Sequence, residues 1–208
     1  MAESSNTYPA NLTIDYPEQC DRLTTLLRLP MVVPILIILG LVSGGGGHSG
    51  FLPGWKAAYS GGGCIVAATL LMIIFRKKFP RWWFDWNLAL VRFATRVMAY
   101  FAVLTHQYPS TDEEQAVHLD IVYPDAARDL SRGLPLIKWL LAVPHVIVLG
   151  FLNFALVICT IIAWFAILIT GRYPRGIFDF VVGVMRWDLR VAAYAVLMTT
   201  DVYPPFGM

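Results

Sequence analysis

The sequence predicts a mainly α-helical, polytopic membrane protein in which a two-span helical hairpin and an amphipathic interfacial helix each occur twice, with short cytoplasmic β-strands. Of its 208 residues, 57% are hydrophobic and 14% are charged. A soluble domain carries about 25% charged residues, so much of the apolar surface must face lipid. Three sequence blocks recur in the same order in both halves. Each half also contains an apolar segment with an arginine stripe.

The recurring blocks indicate a tandem duplication, with copies at roughly 1–110 and 111–208. The matched blocks are 12–17 with 119–124, 34–40 with 144–150, and 79–85 with 173–179. The offset between matched positions falls from 110 to 94 along the chain. This fall places 16 additional residues in the glycine-rich stretch 44–63 of the first copy. Because glycine is costly to order in a helix, a loop is predicted there.

Each copy contains the same predicted elements in the same order. A short strand with alternating apolar residues comes first, at 12–17 and at 119–124. Two membrane spans follow, at about 24–43 and 57–75 in the first copy and at about 135–151 and 154–170 in the second. An even number of crossings returns the second strand to the side of the first, so the two strands can pair.

The second copy has an uncharged run of 33 residues, from Trp139 to Gly171. As a single helix this run would be ~50 Å long, whereas the hydrocarbon core of a bilayer is ~30 Å thick. The alignment with the first copy therefore predicts a tight helical hairpin that turns near Gly150–Asn153.

Basic residues at the ends of the spans predict the orientation of the chain. Cytoplasmic flanks of membrane spans carry an excess of Lys and Arg, and such residues flank the outer ends of both hairpins. After the second and fourth spans they are Arg76, Lys77, Lys78, Arg81, Arg172 and Arg175. We therefore expect a multi-pass protein with both termini in the cytoplasm and the glycine-rich loop outside.

Segments 82–105 and 176–199 are predicted amphipathic helices. Each has a polar stripe on one face because its members are seven, four and four residues apart. The stripes are Asp85, Arg92, Arg96 and Tyr100, and Asp179, Arg186, Arg190 and Tyr194. A crossing would bring two arginines near mid-membrane at about 2.5–3.5 kcal/mol each. This cost favours helices in the interface, where Trp82, Trp83 and Trp86 suit the lipid boundary.

Two roles remain open for the stripes. In the first, the arginines anchor their helices at the headgroup level or to one another, as long basic side chains commonly do. In the second, the stripes form a face that binds anionic lipid or a protein partner. The first role is favoured because arginines that reach the headgroups in this way are ordinary.

No reaction-carrying motif is found in the sequence. His145 lies within a predicted span and is the best candidate for a buried ligand, for example of haem. No second histidine lies at a matching depth, so a role in helix packing is favoured. We predict no metal site and no cofactor. The net charge of +2 argues against nucleic-acid binding.

Five segments carry a resemblance to a known family: residues 14–17, 143–148, 171–179, 186–194 and 203–206. Over these segments the chain resembles the bacterial integral-membrane family catalogued as domain of unknown function 4389. The resemblance covers nearly the whole chain and is strongest over 119–206. It implies a protein of the bacterial cytoplasmic membrane and brings no established activity or catalytic residues.

The sequence favours one function among three. The first is a non-enzymatic accessory or scaffold subunit that contacts anionic lipid and packs against a larger membrane complex or further copies of itself. The alternative is a small oligomeric transporter or channel lined by the Asp/Arg stripes, although the spans offer almost no inward-facing polar residues. A lipid-acting enzyme ranks last, because no nucleophile–base or metal constellation supports it.

Overall fold

The computed structural model describes residues 8–17, 21–42, 62–111, 113, 115–126, 128, 130–131 and 133–208. The predicted glycine-rich loop, residues 44–63, lies outside the described residues except for its last two positions, Gly62 and Gly63, which begin α2. The elements are β1 (Ala10–Ile14), α1 (Arg22–Val42), α2 (Gly62–Leu71) with a following π-helical turn (Met72–Arg76), α3 (Arg81–Phe101), β2 (Val117–Ile121), α4 (Leu134–Thr170) and α5 (Arg175–Ala195). The described chain is therefore mainly helical.

The two predicted strands pair as a two-stranded antiparallel sheet, although each begins two residues earlier and ends three residues earlier than predicted. Leu12 pairs with Leu119, and these residues hold matching positions in the two halves. Alternate residues of both strands are buried, as the apolar alternation predicts. The other face of the sheet, which includes Thr13 and Asp120, is exposed. The sheet thus has one apolar and one polar side.

The elements form three layers. In the sheet, β1 packs on α5 and β2 packs on α3. These two amphipathic helices also pack on the apolar helices, α5 on α4 and α3 on α1, and α1 contacts α4. The amphipathic helices therefore lie between the sheet and the apolar helices α1 and α4.

The hairpin predicted at 135–151 and 154–170 is wrong, because both ranges belong to the single 37-residue helix α4. A glycine such as Gly150 costs a helix only about 1 kcal/mol, which the packing of α4 outweighs. The side-chain amide of Asn153 donates to Asp188 Oδ2 of α5 (3.0 Å) and holds the helix where a turn was expected. At 1.5 Å per residue, α4 is about 55 Å long.

By length and composition, α4 is the one helix among the described residues that could cross a membrane. The first predicted span, at about 24–43, corresponds to α1. The second, at about 57–75, corresponds from Gly62 onward to α2 and the π-helical turn, whose apolar part is short. The predicted multi-pass topology is therefore not supported.

The helices α3 and α5 end four residues earlier than the predicted amphipathic segments. Val103 and Met198 follow them with φ of 63° and 55°, in the left-handed region that stops a helix. After α3, Leu104 N–H donates to Ala99 O (2.9 Å), a bond typical of helix C-terminal caps. The apolar periodicity of the sequence cannot reveal where α3 and α5 end, since valine and methionine rarely adopt the left-handed conformation.

Several contacts occur twice, with the two halves exchanged. The Tyr16 hydroxyl donates to Tyr173 O, and the Tyr123 hydroxyl donates to Phe79 O. The two tyrosines follow β1 and β2, and the two carbonyls precede α5 and α3. Each strand is therefore tied to the helix of the other half.

Candidate functional site

The central arginines of both predicted stripes hold the sheet. Arg186 Nε donates to Leu12 O of β1 (3.0 Å), and Arg92 Nε donates to Leu119 O of β2 (3.1 Å). Arg92 also lies 3.4 Å from the exposed carboxylate of Asp120. Each half thus supplies the arginine that binds the strand of the other half.

The remaining members of the stripes divide into contacting and exposed residues. Arg96 Nη1 donates to Ser110 O (2.6 Å), and Arg190 Nη1 donates to Gly207 O (3.4 Å). Burial, together with the nearby positive charge of Arg186, lowers the pKa of Arg190. Both arginines therefore fasten a segment that follows their helix. The stripes begin with two exposed carboxylates, Asp85 and Asp179. They end with two buried tyrosines, Tyr100 and Tyr194.

The predicted tryptophan anchors form a cluster at the start of α3. Trp82 is 68% exposed and Trp86 is 43% exposed. Trp83 is half-buried, stacks on Trp86 with ring centroids 5.6 Å apart, and donates from Nε1 to Thr69 Oγ1 (2.9 Å). Two of the three tryptophans are therefore open to surroundings outside the chain, as interfacial anchors require.

The predicted basic anchors surround the starts of α3 and α5. The exposed ones are Arg76, Lys78, Arg81, Arg172 and Arg175, and Lys77 is half-buried in a left-handed conformation. The Arg175 guanidinium lies over the Tyr16 ring (4.8 Å), and Arg81 lies over Tyr123 (5.6 Å). These contacts leave the positive groups near the surface, and we call the six residues the basic rim.

A buried cation lies between α4 and the segment that follows α5. Lys138 is fully buried, and its Nζ lies 2.7 Å from Asp201 Oδ1 and donates to Thr200 O (2.7 Å). The ammonium group also lies over the Tyr194 ring (5.1 Å). Asp201 Oδ2 accepts the Ser131 N–H (2.7 Å). This pairing offsets the large cost of burying a charge.

The first half holds a cation at the matching place on α1. Arg28 is 3% exposed, lies over the Tyr100 ring (4.6 Å) and donates to Tyr100 O (3.3 Å). A second N–H group of Arg28 donates to His106 Nδ1 (3.0 Å). Burial, reinforced by the neighbouring Arg28 charge and opposed by Asp21, lowers the pKa of His106. His106 therefore acts as a neutral acceptor where the second half has a carboxylate.

His145 takes part in aromatic packing. Its ring stacks on Phe206 with centroids 3.9 Å apart, and its Nδ1 accepts the Trp187 Nε1–H (3.1 Å). No group of three or more His, Cys, Asp or Glu side chains that could hold a metal ion occurs within the described part of the chain.

One carboxyl group lies between α4 and α5. Burial raises the pKa of Asp188 to about 7, against a smaller lowering by the hydrogen bond from Asn153. A substantial fraction of this carboxyl is therefore protonated near neutral pH, which reduces the cost of keeping it inside the protein.

The outer side of α4 is an exposed apolar face along the whole helix. The buried residues of α4 lie three or four positions apart, except for seven between Leu149 and Leu156, and form the stripe that packs inward. Large apolar side chains on its other sides are exposed, among them Leu140, Val143, Ile147, Phe151, Phe154, Ile158, Ile161, Phe165 and Ile169. Phe151 and Ile169 are each 74% exposed. We call this surface the α4 face.

The second half matches a family model described as Domain of unknown function (DUF4389). The match covers residues 135–207. The matched segment contains nearly all of α4, the whole of α5 and the residues around Asp201. The resemblance seen in the sequence is confirmed there, but the match does not extend over the first half. No match was found among curated proteins or among solved structures.

The structure brings together residues that the sequence reasoning did not combine. Lys138 and Asp201 pair within the segment matched by the family model, and Arg28 and His106 meet in the first half. One signal was present, since Arg28 and Lys138 are 110 residues apart, the same offset as the matched block 34–40 with 144–150 that follows them. Asp201 gave no such signal, because it follows α5 in a segment without regular periodicity.

Proposed function

We propose that this chain is a non-enzymatic, membrane-embedded accessory or scaffold subunit of the bacterial cytoplasmic membrane. The observation that carries the proposal is the α4 face, which is apolar and exposed over a 37-residue helix. Single exposed apolar residues are ordinary, whereas a contiguous patch of this extent is typical of a membrane or protein interface. The α4 face would contact acyl chains and the apolar helices of a partner.

The layered packing supports a placement with α4 parallel to the membrane plane. α5 and α4 contact each other between two points. At one point Trp139 Nε1 of α4 donates to Ala195 O at the end of α5 (2.8 Å). At the other, the short connection after Thr170 joins the two helices. Arg186, near the middle of α5, binds the sheet. If α4 crossed the bilayer upright, the polar sheet would lie at mid-membrane depth, where lipid leaves strand edges unsatisfied. With α4 flat, the sheet faces water and the amphipathic helices lie at the headgroup level.

The basic rim supports a contact with anionic lipid. Juxtamembrane Lys and Arg residues each contribute about 1 kcal/mol of attraction to a negatively charged leaflet. Exposed tryptophans at the start of α3 lie next to part of this rim, and tryptophan prefers the same depth. In this proposal both halves place their basic rim on the cytoplasmic side, and a duplicated ancestry accounts for the contacts that occur twice.

The contacts of the stripe arginines give little support to the alternative that the chain is a transporter or channel. A pathway lining needs polar groups that face a channel, but the stripe arginines donate hydrogen bonds to carbonyl oxygens of their own chain. The accessory role remains the stronger proposal because it uses the surfaces that are exposed.

Affinity purification from the native membrane in mild detergent tests the proposal. The unaltered protein is expected to retain a membrane-protein partner in stoichiometric amount, together with anionic lipid. The double variant Phe151→Asp/Phe154→Asp should lose the partner and most of its membrane association in a flotation assay, because it places two charges on the α4 face. The matched control is Val122→Asp, a 64% exposed residue next to β2, which should retain both. Recovery of the unaltered protein as a lone monomer would contradict the proposal.

A further inference from the structure

A cavity of about 250 Å³ lies between α1, the end of α3 and the C-terminal half of α4. Three of its walls are aromatic side chains, Phe101, Trp164 and Phe165. Two of its wall residues, Ile161 and Phe165, are also exposed on the α4 face. The cavity therefore meets the surface that the proposed placement puts among acyl chains, and a ligand can reach it from the membrane.

The hydroxyl group of Thr160 is a buried hydrogen-bonding group in the wall of this cavity. Thr160 is 7% exposed, and its Oγ1 has no hydrogen-bond partner within the described part of the chain. A threonine in a helix can donate to the carbonyl oxygen four residues earlier, as Thr25, Thr95 and Thr170 do at 2.7–2.8 Å. Thr160 makes no such bond. Because buried hydroxyl groups normally have a partner, we expect a ligand in the cavity to supply one.

The charged group in the wall is engaged by the chain itself. Arg28 donates to Tyr100 O (3.3 Å) and to His106 Nδ1 (3.0 Å), and its guanidinium group lies over the Tyr100 ring (4.6 Å). These contacts hold the positive charge of Arg28 within the protein, so the cavity does not require an anion. The ligand is therefore recognised through the neutral hydroxyl of Thr160, and an uncharged carbonyl oxygen is a suitable acceptor for it.

We propose that this cavity binds the ring of a lipid-soluble quinone, with one quinone carbonyl accepting a hydrogen bond from the Thr160 hydroxyl. A flat ring packs well against aromatic side chains, which form three of the walls. An unbranched acyl chain would fill the same space but would bring no acceptor to Thr160. The volume is just below the usual ~300–1,000 Å³ of ligand pockets, so the isoprenoid tail extends past Ile161 and Phe165 into the bilayer. This proposal rests on the proposed function, since the quinone enters through the α4 face.

Quenching of tryptophan fluorescence by a quinone tests this proposal, because Trp164 is part of the wall. The protein is placed in nanodiscs of neutral phosphatidylcholine and titrated with decylubiquinone. Quenching of Trp164, taken as the difference from Trp164→Phe, should saturate. Thr160→Val should weaken the apparent affinity about three- to tenfold, which corresponds to one lost neutral hydrogen bond, whereas Thr160→Ser retains the hydroxyl and should bind as the unaltered protein does. The matched control is Thr170→Val, which changes an exposed threonine of α4 that donates to Ala166 O and should leave binding unchanged.

Three outcomes would overturn the proposal. Quenching that rises without saturation would mean that the quinone is dissolved in the bilayer and not bound. Equal affinities of Thr160→Val and Thr160→Ser would remove the Thr160 hydroxyl from the site. Displacement of the quinone by an equal amount of methyl oleate would assign the cavity to an acyl chain. Failure of the membrane placement is seen separately, because brominated phosphatidylcholine would then not quench the exposed Trp139 of α4.

Discussion

Asp201→Ala is expected to lower the free energy of unfolding by about 3–5 kcal/mol, the usual cost of removing one partner from a buried ion pair. The substitution leaves the fully buried ammonium of Lys138 without the carboxylate that lies 2.7 Å away. It also removes the acceptor of the Ser131 N–H. The measurement is thermal or urea unfolding in mild detergent, followed by circular dichroism.

Two further variants separate the effect of the charge from that of the side chain. Lys138→Met/Asp201→Ala should recover most of the lost stability, because no buried charge then lacks a partner. Asp179→Ala, which removes an exposed carboxylate of α5, should change stability by no more than about 0.5 kcal/mol. If Asp201→Ala and Asp179→Ala unfold at the same temperature or urea concentration, the Lys138–Asp201 pair does not stabilise the fold.

Arg186→Met is expected to lower the free energy of unfolding by about 1.5–3 kcal/mol, the value of a hydrogen bond to a charged group. The variant leaves Leu12 O without the Arg186 donor (3.0 Å) and weakens the attachment of β1 to α5. Arg92→Met should cost less, about 1–2 kcal/mol, because Arg92 is 43% exposed in its side chain and its exposed pair with Asp120 contributes little.

Hydrogen exchange distinguishes this local effect from general destabilisation. Loss of either arginine should increase the exchange of the amides of both strands, since a two-stranded sheet is marginal without its packing. Arg172→Met serves as the matched control, because Arg172 is an exposed member of the basic rim. Equal stability and equal strand protection in Arg186→Met and Arg172→Met would contradict the role assigned to the stripes.

The sequence predicted the features that depend on local pattern. Alternating apolar residues predicted β1 and β2 and the burial of Leu12 and Leu119. That these strands could pair was inferred from two crossings in each copy, a premise that the structure does not support. The spacing of Arg92 and Arg186 placed them correctly on amphipathic helices. Their partners could not be inferred, because a guanidinium group can reach a headgroup or a backbone carbonyl, and only tertiary packing decides between them.

The errors came from features that local pattern does not contain. The break expected near Gly150 relied on the alignment with the first copy and on the thickness of a bilayer that α4 would cross upright. The long apolar run has another solution, a single helix that packs on α5. The partnership of Lys138 with Asp201 was missed because it joins residues 63 positions apart, in a helix and an irregular segment.

The depth of α4 in the membrane tests the central claim most directly. Spin labels at Leu140, Phe151 and Ile162, which are exposed and 11 residues apart, sample about 33 Å of one side of the helix. Their depth in vesicles is measured from relaxation by oxygen and by a water-soluble nickel complex. The flat placement predicts that all three lie at a similar depth, about 5–10 Å below the headgroups. A label on Phe151 near the bilayer centre, with the other two near opposite surfaces, would show a crossing helix and contradict the account.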